Sequence, residues 1–276
     1  MPRRPRKSRI GPRAVVMPVV ISALVSGAAC MHIHRDNPAY AASNAEVRGA
    51  MAEMERDPVG LERPVLVLSG YRSPAGASRD LAAEIRELTG ADDGQVASMA
   101  YMWADDIEPL GDRVVEFVDE RWPTDHPVRT TEVDVVAISM GGIVARWAAS
   151  EREPGVRRLN IGTLYTLGTP HRGAVIAERI RPDEAATQLR AGSGMLGYLN
   201  EQLETADYDI VPYAVLNDWM VGATRTAPPG EDPIWVPGRV LLSHFLISQE
   251  DRIVADVARR LRGEAPLASP SEPPRD

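Results

Sequence analysis

Lysine is almost missing from this chain: Lys7 is the single example, and every other basic residue is arginine, a compositional bias with no function attached. Cysteine is as scarce. Cys30 stands alone, so no internal disulfide can hold the fold together and burial of apolar surface must do so. No GxGxxG and no GKS or GKT loop is present to cradle a phosphate, and no His, Cys and carboxylate cluster has zinc spacing. Neither a nucleotide, another cofactor nor a metal is implied. An apolar run of the about 20 residues that span a bilayer is lacking too, because the stretch Ala14 to Ala29 has 16 residues and contains Pro18.

The start of the chain does carry a pattern. Arg3, Arg4, Arg6, Lys7, Arg9 and Arg13, with no acid among them, precede that apolar stretch, which reads as an export signal over residues 1–29. Ser26-Gly27-Ala28-Ala29-Cys30 resembles the lipobox of bacterial lipoproteins, with Gly27 where that family usually has leucine or another aliphatic residue. The resemblance implies diacylation of Cys30 and an exported protein anchored on the periplasmic or cell-surface side of a membrane; plain secretion is the alternative. The whole chain is −8, and removing the six positive charges of residues 1–29 leaves −14. So acidic a remainder argues against a nucleic-acid partner and against adhesion to anionic headgroups, leaving the acyl anchor as the membrane attachment.

At 276 residues with 44% hydrophobic content, the chain has the length for one α/β domain. Residues 30–63 read as a tether with one helix near Ala45 to Arg56, and residues 64–263 as the main domain. Strands are expected at Val65 to Leu68, Gln95 to Tyr101, Val133 to Ile138, Ile161 to Leu167, Ile210 to Leu216 and Val236 to Leu242. Helices are expected at Arg79 to Leu88, Gly111 to Arg121, Ile143 to Ser150 and Ile253 to Arg262. Such alternation predicts a mostly parallel sheet with helices on both faces. No internal repeat is evident, and residues 264–276, rich in Pro, Ser and Glu, read as a disordered tail.

The most informative stretch is Glu132 to Ala149. An apolar strand meets Ser139-Met140-Gly141-Gly142 and continues as the helical run Ile143 to Ala148. A serine on so tight a strand-to-helix turn has its hydroxyl pushed clear of both elements, and small residues must flank it two places before and two after. Ala137 and Gly141 fill those places, giving AxSxG, a variant of the GxSxG nucleophile elbow.

A serine hydroxyl needs a histidine to take its proton and a carboxylate to orient that histidine. In an elbow fold the chain order is Ser, acid, His, and in a parallel sheet the reacting groups sit just after strands. Of five histidines only His171 and His244 follow Ser139, and His171 leaves little room for an acid-bearing strand in between. His244 leaves that room. Asp207 and Asp209 precede the Ile210 strand, whereas Asp218 follows it; Glu231 and Asp232 are the other carboxylates available. The expected set is therefore Ser139, Asp218 and His244.

With those residues in place, the chain resembles bacterial lipases and esterases of the α/β-hydrolase superfamily. Besides Ser139-Met140-Gly141-Gly142, similar to their SMGG elbow, Gly168-Thr169-Pro170-His171-Arg172-Gly173 resembles their GTPHxG signature. Ala191-Gly192-Ser193-Gly194-Met195-Leu196 with Leu199-Asn200 resembles a third segment of theirs. The resemblance implies an α/β-hydrolase fold, with His171 as a structural loop residue. Residues 172–207, with Leu189, Met195, Leu196, Leu199 and Leu203, offer one or two amphipathic helices over the site, which fits a small lid; the same positions also fit helix faces packed on the sheet. The resemblance also implies an oxyanion hole from the amides of Met140 and of Tyr71, the latter after the first core strand. The implied activity is hydrolysis of carboxylic esters, with acyl lipids as favoured substrates and no cofactor. Thioesterase, amidase or acyltransferase chemistry on the same groups is one rival; a non-catalytic membrane-anchored binding protein is the other.

Overall fold

A computed structural model describes residues 40–73, 75–102, 105–180, 183–239 and 241–273. The expected signal and Cys30 lie outside these residues. Six parallel strands form one sheet: β1 (Val65–Leu68), β2 (Val96–Met99), β3 (Arg129–Ile138), β4 (Arg158–Leu167), β5 (Asp209–Val215) and β6 (Ile234–Val236). Their order is β2-β1-β3-β4-β5-β6. The chain runs outward from β1 to β2 and then crosses back to β3, so the direction of winding switches between β1 and β3. In an open parallel sheet a crevice forms at such a switch, beyond the carboxyl ends of the strands. Register brings those ends level, Leu68 beside Ala137 and Leu167 beside Ile138 and Tyr213.

Strand alternation sorts the core into two layers. On β3, Val133, Val135 and Ala137 face α3 (Ile107–Arg121) and α4 (Met140–Ala149), where Leu110, Val114, Val118, Ile143 and Val144 meet them. Val136 and Ile138 point the other way, toward α2 (Ala75–Thr89) and α7 (Asp251–Leu261), where Leu81, Ile85, Val254 and Val257 complete the layer. With both faces covered, the strands read as continuous apolar runs, as parallel strands do. Two short helices, α5 (Glu184–Gln188) and α6 (Gly194–Gln202), and single 3-10 turns at Ile176–Glu178 and Leu203–Thr205 follow β4, and Leu189, Met195, Leu196 and Leu199 are buried in the layer of α3 and α4. No helix among the described residues is long and apolar enough to cross a membrane.

Three expectations are corrected. The last strand is Ile234–Val236 and not Val236 to Leu242, because Pro237 has no N–H to offer a ladder. Gly238 then passes so close to β5 that a Cβ there would stand 1.6 Å from the Leu216 carbonyl oxygen. The helix α1 (Asn44–Arg56), expected in a segment ahead of the domain, belongs to its core: Val47 and Met54 are each 1% exposed and join the layer of α2 and α7. The tail, expected to be disordered, is seated through residue 273. Buried Asp256 of α7 accepts the Leu267 and Ala268 amides, and Trp235 Nε1 donates to the Ser271 carbonyl.

Candidate active site

Ser139 is the last residue before α4, and its backbone, at φ 52° and ψ −124°, lies where L-residues are seldom found. It holds there because its surroundings leave no alternative. Its amide donates to the Leu167 carbonyl at 2.8 Å, and its carbonyl accepts from Thr169 Oγ1 at 2.7 Å and from the Gly142 amide at 3.1 Å. A Cβ on Gly141 would stand 2.6 Å from the Ser69 carbonyl oxygen, and one on Gly142 would stand 2.3 Å from Thr169 Oγ1. The two glycines are thus what lets α4 start between β1 and the loop after β4. Ser139 makes no side-chain capping bond to the helix, which leaves Oγ for another partner.

That partner is His244, whose Nε2 lies 2.9 Å from Ser139 Oγ. Its Nδ1 lies 2.8 Å from Asp218 Oδ2. Asp218 leaves β5 through Asn217, at φ 60°, and its Oδ1 accepts the Met220 and Val221 amides at 3.0 Å each. With one oxygen committed to backbone, the carboxylate presents the other to the ring. The pair is enclosed, Asp218 being 3% and His244 8% exposed. Ser243 Oγ reaches the Leu216 and Arg239 carbonyls at 2.8 and 2.7 Å, tying the histidine turn to the end of β5. Gly168, at φ 61°, passes beneath, where a Cβ would come within 3.4 Å of both Asp218 Oδ2 and His244 Nδ1. Glu231 and Asp232, the other carboxylates considered, are exposed in the loop before β6.

Held by Asp218, the ring has its proton on Nδ1 and a free lone pair on Nε2 facing the serine hydroxyl. Such a constellation can draw the proton from the hydroxyl as its oxygen attacks an electrophile. Met140 is the first residue of α4, where amides have no intrahelical acceptor. Gly70 approaches from β1 so closely that a Cβ would be 3.2 Å from Ser139 Cβ, and Gly70 and Tyr71 line the same cavity as Ser139. That cavity measures about 220 Å³ and its lining is mostly apolar. Among the described residues no group of three or more His, Cys, Asp or Glu side chains is disposed to hold a metal.

His171 is placed quite differently. It is 0% exposed, with Nδ1 3.0 Å from Arg146 Nη1 and Nε2 3.1 Å from Thr166 Oγ1. Arginine only donates, so Nδ1 accepts and the ring is neutral with its proton on Nε2. Desolvation first, then Arg146 and Arg172, hold its pKa well below the ordinary value. Both nitrogens are occupied.

Two residues that sequence reasoning passed over organise this neighbourhood. Buried Arg146 of α4 also donates to the Leu199 carbonyl at 2.6 Å and to Asn200 Oδ1 at 3.2 Å, so one guanidinium joins the elbow helix, the His171 loop and α6. An arginine inside Ile143-Val144-Ala145-Arg146-Trp147-Ala148 was the available signal, since a charge on an apolar helix must find buried partners. Asp183, the residue before α5, accepts the Ala186 amide at 2.7 Å, Arg72 Nη2 at 2.8 Å and the Tyr71 hydroxyl. It fastens the start of α5 to the loop after β1. Desolvation and then this bond push the Tyr71 hydroxyl up to about 12.

Residues 101–189 match the family model of a PGAP1-like alpha/beta domain, a span that includes Ser139 and His171 and ends before Asp218. No curated protein matches the chain. Among solved structures, the lin2722 gene product of Listeria innocua is 12% identical with a TM-score of 0.52, over 76% of this chain and 96% of that one.

The chain has the α/β-hydrolase fold.

A putative cell surface hydrolase from Lactobacillus plantarum is 14% identical with a TM-score of 0.46, over 74% of this chain and 92% of that one. Phospholipase PlaB from Legionella pneumophila, solved with thio-NAD, is 14% identical with a TM-score of 0.44 over 55% of this chain, which spans only 38% of the phospholipase. Identities this low speak to the fold and not to the activity. Within the α/β-hydrolase fold, the Ser139 turn sits at the winding switch between β1 and β3.

Proposed function

We propose that this protein is a serine hydrolase of carboxylic esters acting on acyl lipids. Ser139 Oγ attacks the ester carbonyl carbon while its proton passes to His244 Nε2, and Asp218 orients the ring and offsets the charge it acquires. The oxyanion is held by the amides of Met140 and Tyr71. Collapse breaks the bond to the alcohol oxygen, which takes the proton from Nε2 and departs. Water then attacks the acyl-serine through the same histidine, releasing the carboxylic acid and restoring the hydroxyl. No cofactor takes part.

The observation that carries this reading is the pair of hydrogen bonds, 2.9 Å from Ser139 Oγ to His244 Nε2 and 2.8 Å from His244 Nδ1 to Asp218 Oδ2. Hydrolysis of p-nitrophenyl esters by the chain, compared with Ser139→Ala, tests it. Release of p-nitrophenol that vanishes in the variant is expected; release that survives Ser139→Ala sinks the assignment. Faster turnover of a matched thioester or amide moves the reading to that leaving group.

The leader extends the proposal to location. Diacylation of Cys30 anchors the enzyme on the outer side of a membrane, within reach of acyl lipids. Metabolic labelling with an alkyne fatty acid checks this: label should enter the protein and be absent from Cys30→Ser, whereas label retained in that variant removes the anchor.

A further inference from the structure

The cavity beside Ser139 has a closed end and an open one. Ala174, Ala177, Ala186, Leu189 and Val221 line it and are each less than a tenth exposed, with half-buried Ile176 and Ile180 beside Ala177 in the chain, whereas Phe245, next to His244, is 50% exposed. No charged group lies among those five. The charged side chains along the lining are Arg72, more than half exposed and paired with Asp183 at 2.8 Å, and His244, already engaged. An uncharged, apolar chain suits the closed end, because burying a polar group without partners there is unfavourable.

Three methyl groups belong to its lining. Ala174 follows the His171 loop, Ala177 lies in the 3-10 turn Ile176–Glu178 and Ala186 lies in α5, so three separate segments each contribute the smallest chiral side chain to one wall. The wall is fixed by backbone bonds. The Ala174 amide donates to the Leu189 carbonyl at 2.8 Å, Ile176 to Met220 at 2.8 Å and Ala185 to Asp105 at 2.6 Å. At about 220 Å³ the cavity exceeds the roughly 150 Å³ that accommodates benzene and falls short of the about 300 Å³ at which drug-sized pockets begin.

Resting on the hydrolase reading above, we propose that the acyl group of the substrate is an unbranched aliphatic chain of at most about eight carbons, because the same volume also holds the reacting carbonyl and the start of the alcohol's path. Its carbonyl lies at Ser139, its tail runs toward Ala177 and Ala186, and its alcohol leaves past Phe245 and Arg72. Long-chain esters bind poorly because the wall stops them.

The test is kcat/KM for p-nitrophenyl esters from acetate to palmitate, with the full chain and its Ala177→Leu, Ala186→Leu and Leu189→Ala variants. Competent sites are counted with diethyl p-nitrophenyl phosphate, whose small groups do not need the deep end. The profile should peak at hexanoate or octanoate and fall by about tenfold or more at palmitate, the scale set by unaccommodated methylenes. Each leucine variant should lower the octanoate-to-acetate ratio, and Leu189→Ala should raise the decanoate-to-hexanoate ratio. A profile that climbs to palmitate while Ser139 is phosphorylated normally overturns the chain-length proposal and leaves the hydrolase reading intact, as do variants that label but keep the parent ratios. Absence of both phosphorylation and turnover in the parent protein overturns the hydrolase reading itself. If a leucine variant does not fold, the parent profile and Leu189→Ala decide.

Discussion

His171 and His244 both lie in loops at the carboxyl edge of one sheet, both are buried, and both use two ring nitrogens, yet only one faces Ser139. The difference is the sign of the charge beside Nδ1. At His244 the neighbour is the Asp218 carboxylate, which accepts the hydrogen bond from Nδ1–H and leaves the Nε2 lone pair toward Ser139; at His171 it is the Arg146 guanidinium, which donates to Nδ1 and opposes any further proton. The proposed mechanism requires the first ring to gain a charge, whereas the surroundings of the second oppose one. Burial alone does not make a histidine structural; its partner does.

The comparison breaks hardest at Asp218. Asp218→Asn removes the charge while keeping the shape, and kcat should fall by about 10³ to 10⁴ with little change in KM, as when a triad acid is neutralised. A fall below tenfold would show that His244 needs no carboxylate. Next comes Arg146→Met, which strands the acceptors Leu199 O, Asn200 Oδ1 and His171 Nδ1 in a buried site. It should lower unfolding free energy by about 3 kcal/mol, measured as a shifted urea midpoint, since each buried group left unpaired costs about 1–3 kcal/mol.

A third prediction uses pH. Unfolded, His171 binds a proton near pH 6.5; folded, its pKa lies well below that, so under mildly acidic conditions the unfolded state holds more protons. Stability must therefore fall as pH drops below about 6.5, at up to about 1.4 kcal/mol per pH unit from this one group. Urea midpoints at pH 7.5 and 5.5 should differ more for the parent than for His171→Gln; equal differences would mean that the ring protonates in place. The smallest effect is expected at Asp183, whose partners are partly exposed. Asp183→Asn keeps a cap for α5 but weakens the tie to Arg72 and Tyr71. That should cost under about 1 kcal/mol of stability and lower kcat a few-fold, read from parallel melts and steady-state rates.

Much of this was legible before any coordinates. Alternating apolar runs mark β1 to β5, and the rule that reacting groups follow strands separates Asp218 from Asp207 and Asp209; Ser139, Asp218 and His244 do come together. What escaped depends on contacts between distant segments. Arg146 looks like one charge in an apolar helix, and its roles appear only when His171, Leu199 and Asn200 are brought around it. Val47 and Met54 of α1 show an unremarkable helical spacing, and nothing local says that α2 and α7 are waiting for them. The seat of residues 264–273 is made by a carboxylate on α7 accepting backbone amides, which composition cannot register. Pro237 is a strand terminator, but the apolar residues after it imitate a continuing strand.

The most direct measurement is intact-mass and peptide mapping after treatment with a fluorophosphonate, on the parent protein, His244→Gln and His171→Gln side by side. One adduct on Ser139 is expected in the parent and in His171→Gln, and none in His244→Gln over the same time. An adduct that persists in His244→Gln but is lost in His171→Gln, or one found on another residue, would contradict the assignment of the two histidines.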